Sequence, residues 1–182
     1  MTLGDIGWTQ NTHNKKVYMV SMSKAIDITV VVNAALATVT KDNPQGALKY
    51  SEKEFQPMRV YDSGVNGILS IDNRRLSIYR MAVSPTTTIN VIRMTEREAM
   101  KAVAEAIWKG VVNAEDLLVQ QLAKNIRVST ITGSYSIDIK GKGTLSKADI
   151  RIQSPYVVSC EADNHSTNHV FLIETLQKVS NA

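Results

Sequence analysis

The feature that most constrains the fold is a helical pattern at residues 95–124, with strand patterns on both sides. Thr95 and Glu98 have the spacing of a capping box, in which hydroxyl and carboxylate each accept a hydrogen bond from a backbone amide. An apolar stripe follows at helical spacing, formed by Met100, Val103, Ala104, Ile107, Trp108 and Val111. Gly110 weakens the helix and Asn113 offers a second cap, so one kinked helix and two short ones both fit.

The flanking strand patterns predict a mainly antiparallel sheet of sandwich or barrel type. Short apolar runs alternate with turn residues between Met58 and Ile92. Asp72-Asn73 is interpreted there as a hairpin turn, with a return strand from Leu76 to Arg80. Alternating patterns at 135–140 and 145–152 indicate a second, half-buried hairpin. Strands, a helix and further strands predict the α+β class.

Residues 26–39 fit two structures. Alternation of Ile26, Ile28 and Val30 with polar residues is typical of a strand. Helical spacing is also present, with Ser23 as a cap, but the β-branched residues at 28–32 favour a strand for the first half. The segment 42–46 has the composition of a turn.

The chain is expected to form one domain with an arm. Its 182 residues suit a single core, and no repeat or linker divides them. Residues 1–15 are polar and without period, which predicts an N-terminal arm. Residues 16–182 are predicted to form a single α+β domain.

Composition limits the function classes. With 43% hydrophobic and 21% charged residues the chain resembles a folded protein, and only 5% are aromatic, which disfavours a stacking surface for single-stranded nucleic acid. Cys160 is the sole cysteine, and the first residues do not resemble a secretory signal. Asp27 and Asn33 interrupt the longest apolar stretch, so no membrane span is predicted. We expect a soluble protein, cytoplasmic where it is synthesised, with no membrane partner.

Candidate catalytic chemistry centres on Cys160, His165 and His169, which have side chains that bind zinc. A fourth ligand would have to come from Asp163 or the distant His13, and paired cysteine motifs are absent. A polar loop is the favoured interpretation. Nucleophile and phosphate-loop motifs are also absent, so we predict no catalytic residue, no metal, no cofactor, no small-molecule substrate and no enzymatic activity.

A second candidate is a cationic strip in the second half of the chain. The net charge is +4 and the pI is about 9.2. Basic residues within 124–151 would contact phosphates if they shared one face of paired strands, with Arg74 and Arg75 beside them. Asp138 and Asp149 lie among them and favour a solvated face instead. The basic residues are Lys124, Arg127, Lys140, Lys142, Lys147 and Arg151.

The functional hypothesis is therefore a structural subunit of a multimeric assembly. Strands rich in Thr, Ser, Asn and Val, a polar arm and the absence of a catalytic motif favour a virion setting, as a bacteriophage tail, neck or capsid-associated protein. Strand edges pair readily with neighbouring subunits, so the expected partners are other copies of the chain and other assembly proteins. The alternatives are a nucleic-acid-binding module using strands within 124–151 and a metal-dependent enzyme using Cys160, His165 and His169.

Overall fold

The computed structural model describes residues 1–9, 12–64, 66–107, 136–140, 150–153 and 157–160. Four α-helices occur within these ranges: α1 Ile28–Ala37, α2 Gly46–Glu54, α3 Asn73–Ala82 and α4 Glu96–Ile107. The strands are β1 Ile6–Trp8, β2 Thr12–Asn14, β3 Lys16–Met19, β4 Lys24–Asp27, β5 Met58–Asp62, β6 Ile68–Ser70, β7 Val91–Met94, β8 Ser136–Lys140, β9 Ile150–Gln153 and β10 Val157–Cys160.

The strands form two four-stranded sheets and one hairpin. The first sheet has the order β1-β6-β5-β7, in which β6 and β5 are antiparallel and the two outer pairs are parallel. The second has the order β10-β9-β8-β2, with only the β2–β8 pair parallel. Strands β3 and β4 form the hairpin. The described residues contain both helices and sheets, as the α+β class requires; antiparallel pairing is seen in part, and a sandwich or barrel is not confirmed.

Helix α4 begins where the capping box predicts. The Thr95 amide donates to Oε2 of Glu98 at 2.7 Å, and the Glu98 amide donates to Oγ1 of Thr95 at 3.2 Å. The predicted helical continuation to residue 124 lies outside the described residues beyond Ile107. Downstream, β8 and β9 pair antiparallel, with Ile137 opposite Ile152, as the second predicted hairpin requires. The residues between these strands, 141–149, lie outside the described ranges.

The predicted return strand from Leu76 to Arg80 is wrong, because these residues belong to helix α3. Every residue from Leu76 to Ala82 is buried, including Ser77 and Arg80. A helix that is buried on all sides has no polar face, so its sequence lacks the periodicity that reveals an amphipathic helix. Leu76 and Ile78 are apolar and two residues apart, a spacing that is also typical of a strand.

Residues 26–39 combine both interpretations. Strand β4 ends at Asp27, whose carboxylate accepts a hydrogen bond from the Thr29 amide at 2.9 Å and caps helix α1. The preference for a strand at 28–32 is wrong, since Ile28, Val31 and Val32 are buried on one helical face. Tertiary packing outweighs the small helix penalty of β-branched residues.

The first nine residues belong to the core and not to an arm. Leu3, Ile6 and Trp8 are fully buried, and β1 pairs in parallel with β6. The amide of Ile89 donates to the Met1 carbonyl at 2.9 Å. A short 3₁₀ helix and strand β1 at this end contribute apolar residues at irregular spacing. The sequence therefore shows no periodic pattern to indicate that these residues belong to the core.

None of the described helices combines the length and apolar character that a bilayer crossing demands.

Candidate functional site

Two of the candidate metal ligands, Cys160 and His13, are described as backbone. Cys160 ends β10 opposite Ile150 of β9, and His13 lies in β2 opposite Ile139 of β8. His165, His169 and Asp163 lie outside the described residues. Among the residues that the structure does describe, no three His, Cys, Asp or Glu residues could together hold a metal ion.

The basic strip is described at two of its positions. Arg151 of β9 lies opposite Asp138 of β8, and Lys140 lies opposite Asn14 of β2. An acidic residue thus stands directly across from Arg151, in agreement with the alternation of charge in the sequence. The remaining members lie outside the described ranges: Lys124, Arg127, Lys142 and Lys147.

A polar cluster lies where β6 passes into α3, around the carboxylate of Asp72. The Arg59 amide donates to Oδ2 of Asp72 at 2.8 Å, and Nη2 of Arg59 donates to Oδ1 at 2.6 Å. Nη1 of Arg75 lies 3.4 Å from Oδ2. The Asp72 side chain is only 8% exposed. This carboxylate joins β5 to the beginning of α3.

The charge state of Asp72 follows from these contacts. Burial raises its pKa, but the side-chain hydrogen bond from Arg59, the charge of Arg75 and the backbone amide together outweigh burial. The pKa of Asp72 is therefore below its ordinary value. A carboxylate held ionised in this way acts as a structural acceptor, and it has no proton to give to a substrate near neutral pH.

A second set of polar contacts fastens β1 to the same junction. The Thr9 amide donates to Oδ1 of Asn73 at 3.0 Å, and the Thr9 hydroxyl donates to the Ser70 carbonyl at 3.0 Å. Nε1 of Trp8 donates to Oγ of Ser77 at 3.2 Å. All of these hydrogen bonds are therefore made within the protein.

Arg80 holds the beginning of the chain from within α3. Its Nη2 donates to the carbonyls of Ile6 at 2.8 Å and Gly4 at 3.0 Å. The guanidinium carbon lies 5.3 Å from the ring centroid of Trp8, within the range of a cation–π contact. A buried charge is thereby stabilised by backbone carbonyls and an aromatic face.

Arg74 and Arg75, considered in the sequence as phosphate contacts, lie in the first turn of α3. Nη1 of Arg74 donates to the Lys16 carbonyl at 2.8 Å, and Nη1 of Arg75 donates to the Gln56 carbonyl at 2.9 Å. Both guanidinium groups therefore connect α3 to neighbouring segments. The predicted hairpin turn at Asp72-Asn73 is wrong, because Asn73 begins α3, and no signal in the sequence linked Asp72 to Arg59, thirteen residues earlier.

The hairpin formed by β3 and β4 exposes three large apolar side chains to solvent. Tyr18 is 59% exposed, Val20 75% and Met22 50%. Along β3, Val17 and Met19 face the core, so Tyr18 lies on the opposite face. We call Tyr18, Val20 and Met22 the hairpin strip.

Comparisons with models of protein families, with curated proteins and with solved structures give no match. The described residues therefore define an α+β fold of the following kind. The polar side chains at the junction of β6 and α3 are hydrogen-bonded within the protein, and the β3–β4 hairpin exposes apolar side chains to solvent.

Proposed function

We propose that the protein is a structural subunit of a multimeric assembly and that the hairpin strip is a contact surface of that subunit. The supporting observation is the exposure of three large apolar side chains within five residues of one hairpin. Single exposed apolar residues are common on monomers, whereas neighbouring ones often mark an interaction site. Covering them with a partner removes apolar area from water, at about 25 cal/mol per Å².

The edge of the first sheet offers a second contact surface. Within the described part of the chain, β7 pairs with β5 on one side only, and Ile92 is 44% exposed. The backbone groups along a strand edge can pair with a strand of another subunit. Strand β7 has four residues and carries Arg93, which favours a specific partner over indiscriminate aggregation.

In this proposal the chain acts through contacts with other copies and with other assembly proteins. Asp72 is paired with Arg59 and Arg75 within the protein. This pairing supports a structural role for these charged groups rather than a catalytic one. The virion setting, as a bacteriophage tail, neck or capsid-associated protein, rests on the composition of the strands alone.

The test is the mass in solution, measured by size-exclusion chromatography with light scattering over a range of concentrations. We expect masses above the 20.1 kDa of one chain, for the protein alone or mixed with the products of neighbouring genes. A single chain under all these conditions would contradict the proposal.

A double variant locates the contact. Tyr18→Ser with Val20→Ser should shift the mass toward one chain, because it removes two exposed apolar groups without disturbing the core. The matched control is Val30→Ser, which removes a side chain that is 56% exposed on α1 and lies outside the hairpin strip. An equal effect of the control would show that the contact is not specific to the hairpin.

A further inference from the structure

Among the seven methionines, all of which lie within the described ranges, one is exposed. Met22, in the loop between β3 and β4, is 50% exposed. Met1 and Met94 are half-buried. The other four are 5% exposed or less: Met19, Met58, Met81 and Met100. Met22 is therefore the methionine of this chain that is most accessible to oxidants dissolved in water.

We propose that Met22 is an oxidation site through which a peroxide weakens docking of the hairpin strip. In the reaction the Met22 sulfur attacks one oxygen of hydrogen peroxide, the O–O bond breaks, and an S–O bond forms. The sulfur loses two electrons, the peroxide is reduced, and one molecule of water leaves. The product is methionine sulfoxide, which methionine sulfoxide reductases return to the thioether.

Because Met22 lies in the hairpin strip, its oxidation should change how well the strip docks. Val20, two residues away, is the most exposed large apolar residue described, and Tyr18 continues the same strip. A sulfoxide places a polar oxygen in this strip, and burying it against an apolar partner carries a penalty unless a hydrogen bond replaces water. The docking half of this inference rests on the proposed function.

The Ser21 hydroxyl donates a hydrogen bond to Oε2 of Glu54, at the end of α2. This hydrogen bond attaches the loop to the end of α2 at Ser21, the residue next to Met22. Met22 itself remains exposed to solvent. Docking should cover Met22, so oxidation is expected on the separate subunit and protection is expected in the assembly.

The experiment treats the full chain with limiting hydrogen peroxide and follows the addition of one oxygen at each methionine by peptide mass spectrometry. Fragment ions separate Met22 from Met19, which lies three residues away. We expect Met22 to oxidise several-fold faster than each of the four buried methionines. Equal rates for Met22 and the buried methionines would overturn the proposed site.

Light scattering then compares oxidised and untreated protein, with Met22→Leu as the control. Leucine keeps the apolar surface and cannot form a sulfoxide, so this variant should associate like the native chain and resist peroxide. Unchanged association of protein oxidised at Met22 would overturn the docking half. Absence of any association before treatment, both for the protein alone and with the products of neighbouring genes, would contradict the proposed function and the docking half together, while the mass spectra would still decide the site.

Discussion

At the scale of single residues, the β6–α3 junction shows how one carboxylate joins distant parts of the chain. Asp72 accepts hydrogen bonds from Arg59, thirteen residues earlier, and lies within an ion-pair distance of Arg75. These contacts fix its ionised form and give it a measurable role in stability.

Replacing Asp72 by Asn should destabilise the fold by about 2 kcal/mol at pH 7, because the Arg59 and Arg75 contacts lose their charged acceptor. The native pKa of Asp72 is lowered, so the ionised carboxylate contributes stability that is present above the unfolded pKa of about 3.9 and is lost as pH falls through the lower native pKa. Urea unfolding at pH 7 and at pH 3 measures this. The difference between variant and native chain should shrink at pH 3, and a constant difference would contradict the assigned charge.

Ser23 provides a second prediction, on backbone conformation. Its φ of 50° is the only positive value among the non-glycine residues that the structure describes. Ser23→Gly should stabilise the fold by about 0.5 kcal/mol, since relief of the left-handed conformation exceeds the entropic penalty of glycine. Ser21→Gly, at a neighbour without positive φ, should destabilise instead, through the entropic penalty of glycine and the loss of the Ser21 hydrogen bond to Glu54. Thermal unfolding distinguishes the two, and equal losses would show that Ser23 is unstrained.

At the scale of elements, the helices differ in how much the sequence revealed. Helix α4 has a capping box and an apolar stripe, and both signals were sufficient to place its beginning. Helix α3 is buried on all sides from Leu76 to Ala82, so this stretch has no amphipathic period to detect. In α1, the β-branched residues favoured a strand locally, and packing of one face decided otherwise.

The packing of α2 against the end of α1 depends on Gly46. A Cβ atom at Gly46 would overlap the Thr38 carbonyl and lie 2.8 Å from Nδ2 of Asn43. Gly46→Ala should destabilise the fold by about 2 kcal/mol, because the backbone of Thr38 has to move. Gly67→Ala is the control, since φ there is +67° but nothing lies within 4 Å, and it should cost about 1 kcal/mol. If Gly46→Ala proves the milder change in urea unfolding, the described helix contact is wrong.

At the scale of the whole molecule, the first nine residues connect parts of the fold that lie more than sixty residues apart. Trp8 is fully buried, its indole donates to Ser77, and its ring lies beneath Arg80. Composition alone suggested an arm, because contacts at this separation leave no local pattern in a sequence. The polar cluster at Asp72 also escaped prediction, because no local pattern connects Asp72 with Arg59, thirteen residues earlier.

Trp8→Ala should therefore destabilise the fold by about 4 kcal/mol through the cavity it leaves in the core. Trp8→Phe keeps most of the ring and loses the indole donor to Ser77, so it should cost about 1–2 kcal/mol. Denaturant unfolding of both variants gives the comparison. An effect of Trp8→Ala below about 0.5 kcal/mol, as on a solvated surface, would restore the arm interpretation.

The hypothesis of a contact surface on the hairpin has its most direct test in hydrogen exchange followed by mass spectrometry. Exchange is compared between dilute protein and protein under assembling conditions, established by light scattering. We predict slower exchange of the amides at residues 16–24, since a docked partner covers the hairpin, and unchanged exchange in α2 at Gly46–Glu54. Protection elsewhere on the chain, with the hairpin unchanged on assembly, would contradict the account.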